Sequence, residues 1–499
     1  MIRRALCCLI CLLLTLAPAL TLAEESYSMA GFDGTESTHD WNTNQFFTRM
    51  QERTGIGFTF QQYTDIGKWQ AAKAQMFTAG ELPDVLFKAA LTTEEQLTWS
   101  ESGQLIDLLP LLPENAPNLW KLLQENPDWL KAITLPNGKV CALPELQTQP
   151  AQNALWINQA WLDTLKLDMP TDFASLRTVL EAFRDRDPNA NGKRDEIPLA
   201  FLGPWELKFL SHAYGVAVND YNIYLDESGT VRYWPAEDSF FAWLTELRSM
   251  FADKLLDPEG FRTADTLRRI TDDKAAVTFG AFFAPTPVNL VTFKQAEQYV
   301  LMEPLVYEGK QVYRDLIGSV TRGVFAITSA CENPAALLQW VDLLYTEEGA
   351  VEAMLGKEND CYVINEEGRW QWKGGVESMT STIVNELSIY DTGDMPWLFP
   401  QAFYNRYDEA AVRRVNDELE KLTPFIQKPF PTYTLTKEQS AQIIPLQNVL
   451  GQYVDEAIAQ FVLGQQELNE QTIAAFREGL TQNGMDEMVA FWQSVAQAD

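Results

Sequence analysis

Residues 46–63 read FFTRMQERTGIGFTFQQY. Phe46, Phe47 and Met50 recur at helical spacing, so the first half is a helix with one apolar stripe. Thr54-Gly55-Ile56 stops that helix and opens a strand, GFTFQQY. Upstream, residues 26–32 (SYSMAGF) form an earlier strand, joined to the helix by a polar loop through His39, Asp40, Trp41 and Asn42. Strand, helix, strand is the opening of an α/β lobe.

Working outward, the alternation continues. A second helix over Trp69 to Thr78 ends at Gly80, and LPDVLFK (82–88) resumes a strand. Helical signals follow at Glu94 to Ser100 and Leu119 to Leu123, and Asn137-Gly138 marks a turn between two short runs, ITL and KVCALP. From Trp156 the pattern starts again on a new footing. Pro170-Thr171-Asp172 is a helix start, with Thr171 as the expected N-cap and Asp172 in the first turn, where the dipole favours it. Phe173, Leu176, Leu180 and Phe183 form its apolar stripe. Asn333-Pro334 caps a later helix whose Leu337, Trp340, Val341 and Leu344 share a face. No internal repeat and no low-complexity linker interrupts the chain, which fits lobes joined by more than one crossing strand. At 499 residues the chain is long for a single core, so two lobes are expected.

The stripe delivers the chain into residues 185–198, DRDPNANGKRDEIP, which bury almost nothing. With Asp187 as position 1, Asn189 and Asn191 take positions 3 and 5, Gly192 takes 6, Lys193 offers its carbonyl at 7, and Asp195 and Glu196 follow. This is the donor order of a calcium loop, in which alternate oxygens turn inward and glycine allows the sharp bend. Calcium is a hard cation that takes six to eight oxygens, which accounts for a segment rich in oxygen and poor in carbon. The loop departs from an EF-hand because position 12 is Pro198 and no second helix flanks it. Asp195 and Glu196 have to supply the late carboxylates, and the ion they hold is structural.

Residues 1–23 carry Arg3 and Arg4, an apolar run, Pro18, and Thr21-Leu22-Ala23 ahead of two glutamates, the pattern of a cleaved secretory signal. No small residue directly precedes Cys7, Cys8 or Cys11 at that point, so no lipobox is seen, and an extracytoplasmic location is expected. Cys141, Cys331 and Cys361 remain beyond it. Cys331 to Cys361 is the pairing to test first, against buried free thiols.

The formal charge of −31 repels phosphate backbones, which argues against nucleic acid as a partner. Only His39 and His212 exist, leaving little material for histidine zinc sites or a Ser-His-Asp relay. HExxH, GxSxG, Walker A and GxGxxG motifs are absent. A non-enzymatic protein is expected. A secreted carbohydrate-active enzyme, with its carboxylates hidden among so many, is the less favoured alternative.

The segments RTGIGFTF, MFTAGELPDVLF, GQLIDLLPLL, NGKVCALP, LWINQAWLDTLKLDMPTDF, DPNANGKRDEIPL, WVDLLYTEEG and GKENDCYVINEEGRW, in this order and spacing, resemble the extracytoplasmic solute-binding proteins of ABC importers. The likeness is to their oligosaccharide-binding group, the alginate-binding type included. It implies a two-lobed type II periplasmic-binding-protein-like α/β fold with a hinge and an interlobe cleft. The first lobe is expected over 24–148 and 318–365. The second is expected over 149–317 and 366–499, with calcium loop 187–196. It further implies an oligosaccharide ligand, ABC transporter permease subunits as partners, and a monomer; the same architecture could bind a peptide or another solute. In that family the loop matching Asp187, Asn189, Asn191, Lys193, Asp195 and Glu196 binds calcium.

A sugar cleft combines aromatic platforms with polar rims, because sugars present apolar ring faces edged with hydroxyls. The ligand candidates are loop aromatics after strands: Trp41 in HDWN, Trp205 in LGPW, Phe283 in FGAFFAP and Trp397 in GDMPWLFP. Asp84 in LPDV and Arg322 in VTRG are the polar candidates near strand ends. Trp156, Trp161 and Trp340 read as structural.

Overall fold

The computed structural model describes residues 25–34, 39–148, 153–262, 270–314, 320–374, 386–389, 394–431 and 433–498. The expected signal segment 1–23 lies outside them. In chain order the strands of its two main sheets are β1 (Glu25–Phe32), β2 (Ile56–Tyr63), β3 (Val85–Phe87), β4 (Leu143–Leu146), β5 (Ala154–Asn158), β6 (Ile197–Ala200), β7 (Phe279–Ala284), β8 (Tyr299–Leu301) and β9 (Val320–Ile327).

The first lobe carries a five-stranded sheet in the order β2-β1-β3-β9-β4. Strands β1, β2 and β3 run parallel, and β9 returns antiparallel between β3 and β4. The helix Gln45–Thr54 joins β1 to β2 as its apolar stripe requires. Asn44 caps it by accepting from Phe46 N, and Gly55, at φ 73°, ends it in the left-handed region that glycine tolerates. Phe46, Phe47, Phe58, Phe87 and Phe325 gather around Trp340, with ring centroids 5.2–6.5 Å away. Burying each such ring contributes about 1.5–3 kcal/mol, so this knot ties helix 45–54, the sheet and the helix Pro334–Asp342 into one core.

The second lobe carries a four-stranded sheet in the order β8-β5-β7-β6, in which β6 and β7 are parallel and β5 is antiparallel to β7. Its core runs from Ala154 to Tyr313 and resumes from Val415 to Trp492. The helix Phe173–Asp185 packs its predicted stripe, Phe173, Leu176, Leu180 and Phe183, into that core. Its N-cap is Asp172, not Thr171: Asp172 Oδ1 accepts from Ser175 N at 2.8 Å while Ser175 Oγ reaches back to the Asp172 backbone. A carboxylate so placed meets the positive end of the helix dipole, which a hydroxyl one residue earlier does not.

The lobe boundary expected at residue 365 moves. Trp370, Trp372, Trp397, Phe403 and Tyr407 all belong to the first core. The reason is a hairpin, Tyr362–Ile364 with Trp370–Trp372, which keeps the chain on the first lobe. The return occurs in the helix Ala410–Leu419, where Val412 still packs on the first core and Val415 enters the second. The other two crossings leave from neighbouring strands, because Leu146 of β4 pairs with Val320 of β9.

The pairing of Cys331 with Cys361 does not form; both thiols and Cys141 are buried and free. Burial pushes the Cys331 and Cys141 thiols up to about 11, leaving them protonated and inert. Among the described residues no helix is long and apolar enough to cross a membrane.

Candidate functional site

One edge of the second sheet collects the carboxyl ends of β6 and β7 and the amino end of β5, since Ala154 pairs with Ala284 and Ala200 with Phe282. Asn153 at that edge directly follows the crossing from the first lobe, and Arg314 directly precedes the crossing back. The edge therefore faces the junction between lobes, where open α/β sheets bind ligands.

The loop after β6 builds the site. Gly203 is extended, Pro204 starts a one-turn helix, and a 3-10 helix over Lys208–Tyr214 closes at Gly215, φ 75°. Trp205, 46% exposed, lies directly over Gly203, where an added Cβ would come 2.9 Å from the indole. The glycine thus leaves room for the indole, which stays half exposed. Phe209 stands edge-on to Trp205 (6.2 Å) and tilts against Phe283 (6.1 Å), and the Arg314 guanidinium lies 5.6 Å over the Phe209 ring. Two adjoining cavities open here. One, of about 240 Å³, is lined by Trp205, Phe209, His212, Asn219, Asp220 and Arg314. A tighter one, of about 30 Å³, reaches Phe283, His212, Asn153 and Glu303.

The electrostatics at this edge are distinctive. Glu206 is buried, accepts from Leu202 N at 2.5 Å and from Asn153 Nδ2, and is pushed by burial from 4.5 up to about 7, against the pull of both donors. His212 is 5% exposed between the rings of Phe209 and Tyr313. Arg314 donates to Asp220 Oδ1 and to the Val218 carbonyl, each at 3.0 Å. An aromatic face ringed by amide, imidazole, guanidinium and carboxylate groups can stack an apolar ring face and bond its hydroxyls.

Of the predicted ligand residues, Trp205 and Phe283 meet in this cluster, although Phe283, 3% exposed, is its floor. Trp41 and Trp397 do not belong to it. Trp41 is enclosed by Phe47, Phe60 and Phe87 and fills the space above Gly31, where a Cβ would lie 2.9 Å from its ring. Trp397 is fully buried with Nε1 on Glu145 Oε1 at 3.3 Å. Its segment behaves as a sheet edge instead of a loop, because Leu146 N donates to the Trp397 carbonyl and Phe399 N to that of Leu146. Asp84 sits at the amino end of β3, away from the aromatic cluster, and Oδ2 accepts from both Ser28 N and Ser28 Oγ at 2.7 Å. Arg322 lies at the lobe junction: its Nη1 donates to Thr434 Oγ1 at 3.0 Å, and Tyr433 beside it packs with Phe430 and Trp492 of the second lobe. Sequence reasoning missed Phe209, His212, Asp220, Arg314 and Glu206. The one available signal was the aromatic run KFLSHAYG, which surrounds the only histidine of the second lobe.

The oxygen-rich loop lies at the amino end of β6, the far side of the lobe from the aromatic cluster. Asp187, Ala190 and Gly192 all take positive φ, so the chain coils tightly. Asp187 accepts from Asn191 N (3.1 Å) and Gly192 N (3.0 Å), and Lys193 N donates to Asn191 Oδ1 at 2.7 Å. The Asn189 and Asn191 amides both turn toward Asp195, at 3.2 and 3.0 Å. Glu196 Oε1 is buried without a hydrogen-bond partner, and its carboxyl is raised by burial first and then by Asp195 and Asp187. A buried orphan oxygen among repelling carboxylates fits a cation. Among the described residues no three acidic, histidine or cysteine side chains could ligate a metal by themselves, so amide oxygens have to complete the shell.

No family model matches the chain. A curated relative, the fructooligosaccharide ABC transporter substrate-binding protein FusA of Streptococcus pneumoniae, is 26% identical over 339 residues, which cover 65% of this chain and 62% of FusA. The match thus spans a little under two thirds of that relative's length. The solved structure of FusA with kestose superposes with a TM-score of 0.74 at 21% identity over 95% of this chain and 99% of FusA. The fold is that of the solute-binding proteins. An extracellular solute-binding protein from Bifidobacterium longum subsp. infantis shares this fold at a TM-score of 0.79 and 20% identity, over 95% of this chain and 98% of its own. So does the alginate-binding protein AlgQ2, solved without calcium ion, at 0.70 and 18%, over 96% and 99%. FusA has also been solved as an EF-hand mutant with fructo-nystose.

Proposed function

We propose that this chain is the extracytoplasmic solute-binding protein of an ABC importer, capturing an oligosaccharide between its lobes and presenting it, unaltered, to the permease subunits. The observation that carries the reading is the exposed Trp205 face, backed by Phe209 and Phe283 and rimmed by Arg314 and Asp220, at the sheet edge that faces the lobe junction. FusA, which shares the fold, is described as binding fructooligosaccharide. Trp205 and Phe283 are the predicted residues kept as ligand contacts, and Arg322 is retained as a junction residue that the ligand meets when the lobes close. Closure is a population shift: the ligand favours the closed form through contacts it makes with both lobes. Asp187, Asn189, Asn191, Lys193, Asp195 and Glu196 hold one structural Ca²⁺, whose charge offsets the mutual repulsion of the three carboxylates. The protein acts as a monomer outside the cytoplasm.

The test is titration of the calcium-loaded protein with a glycan panel, followed by calorimetry and tryptophan fluorescence, with product analysis after long incubation. Micromolar or tighter binding of an unaltered glycan supports the proposal. Turnover of a glycan, or binding of a peptide in preference to all glycans, overturns it.

A further inference from the structure

His212 stands apart from every other polar group at the aromatic edge. Its ring lies 5.9 Å from the Phe209 centroid and 5.4 Å from that of Tyr313, and both cavities of the site share it as a wall. Its backbone carbonyl accepts from Gly215 N and Val312 N. No described residue bonds either ring nitrogen, in contrast to His39, whose Nδ1 meets Asp33 at 3.0 Å. A ring nitrogen that faces a cavity hydrogen-bonds whatever the cavity receives.

The charge around it restricts what that can be. Burial, with Arg314 adding to it, pushes the imidazole from 6.5 down to about 3, so it stays neutral, one nitrogen donating and the other accepting. The cations that line the cavity are already matched: Arg314 by Asp220 at 3.0 Å and Lys208 by Asp455 at 3.1 Å. Glu303 and Asp220 add carboxyl groups at the cavity walls, and the whole chain carries −31. On this cavity wall an anionic sugar would meet carboxylates and no cation that lacks a carboxylate partner.

Resting on the oligosaccharide reading, we infer that His212 is a specificity-determining residue whose neutral ring exchanges hydrogen bonds with a hydroxyl of an uncharged sugar unit stacked on Trp205. The site thus selects neutral oligosaccharides over chains bearing uronic acids. A hydroxyl both donates and accepts, as a neutral imidazole does, whereas a carboxylate only accepts.

The experiment uses the full mature chain with calcium at neutral pH. Wild type, His212→Gln and His212→Leu are titrated calorimetrically with neutral fructo-, gluco- and manno-oligosaccharides and with uronic-acid oligomers of matched length. Unfolding midpoints establish that each variant is folded. The expected result is that wild type prefers a neutral oligomer, H212L weakens it about tenfold or more, and H212Q, which keeps a donor and an acceptor, recovers most of that loss. Equal affinity of H212L and wild type for the neutral ligand overturns the inference, and so does tighter binding of a uronate oligomer. Should H212L fail to fold, H212Q against a deoxy analogue of the bound sugar decides: selective loss with the analogue in wild type supports it, no loss overturns it. Absence of binding to any member of the panel sinks the oligosaccharide reading and this inference together, a result distinct from unaltered binding by H212L.

Discussion

Glu206 is a carboxyl moved by burial to where physiological pH can reach it, from 4.5 to about 7. Between those values the native state holds a proton that the unfolded chain has released. Its stabilising contribution is therefore complete below pH 4.5, falls as pH rises and is gone above pH 7, about 3 kcal/mol across the window. Urea unfolding of wild type and Glu206→Gln should show the variant gaining on wild type by that amount between pH 5 and 8, and parallel pH profiles would refute the shift. Trp205 makes a second prediction at this scale. Trp205→Ala should leave stability within about 0.5 kcal/mol, since the ring is half exposed, yet abolish most glycan affinity. Gly203→Ala should do part of the same at a distance, because its new methyl displaces the indole.

Among elements, strand β6 joins the loop 187–196, for which a calcium site is proposed, to the Trp205 loop. Chelation should lower the unfolding midpoint, with calcium at a hundredfold excess over its dissociation constant contributing about 2.7 kcal/mol. Asp187→Asn combined with Asp195→Asn should remove the chelator dependence; a wild-type midpoint indifferent to chelator would exclude the ion. The helix that delivers the chain to this loop rests on Asp172, and Asp172→Ala should cost about 1 kcal/mol by urea unfolding, Thr171→Ala much less.

At the scale of the molecule, two cores are joined by adjacent crossings and by the helix Ala410–Leu419, and polar side-chain contacts bridge the junction between them. Arg322 to Thr434 is one, and Lys428 to Asp128, both largely exposed, is another that salt screens. A ligand seated on Trp205 and touching the first lobe can therefore shift the population of closed forms. Small-angle scattering should show a smaller radius of gyration with a bound glycan for wild type and none of that change for Trp205→Ala. Unaltered scattering on saturation would argue against closure.

The sequence alone determined the alternation of strand and helix, the stripe of helix 173–185 and the donor order of 187–196, because each is local: periodicity, caps and spacing lie within one turn or one strand of the chain. It located Trp205 by its turn-forming neighbours. It could not separate Trp205 from Trp41 and Trp397, which sit in equally polar, glycine- or proline-bearing company. Only the tertiary structure decided that, since burial of Trp41 depends on the space over Gly31 and burial of Trp397 on an edge offered by β4, contacts from remote parts of the chain. The same holds for Arg314, which lies more than 90 positions beyond Glu206 and His212 along the chain and is brought to the same sheet edge by the fold.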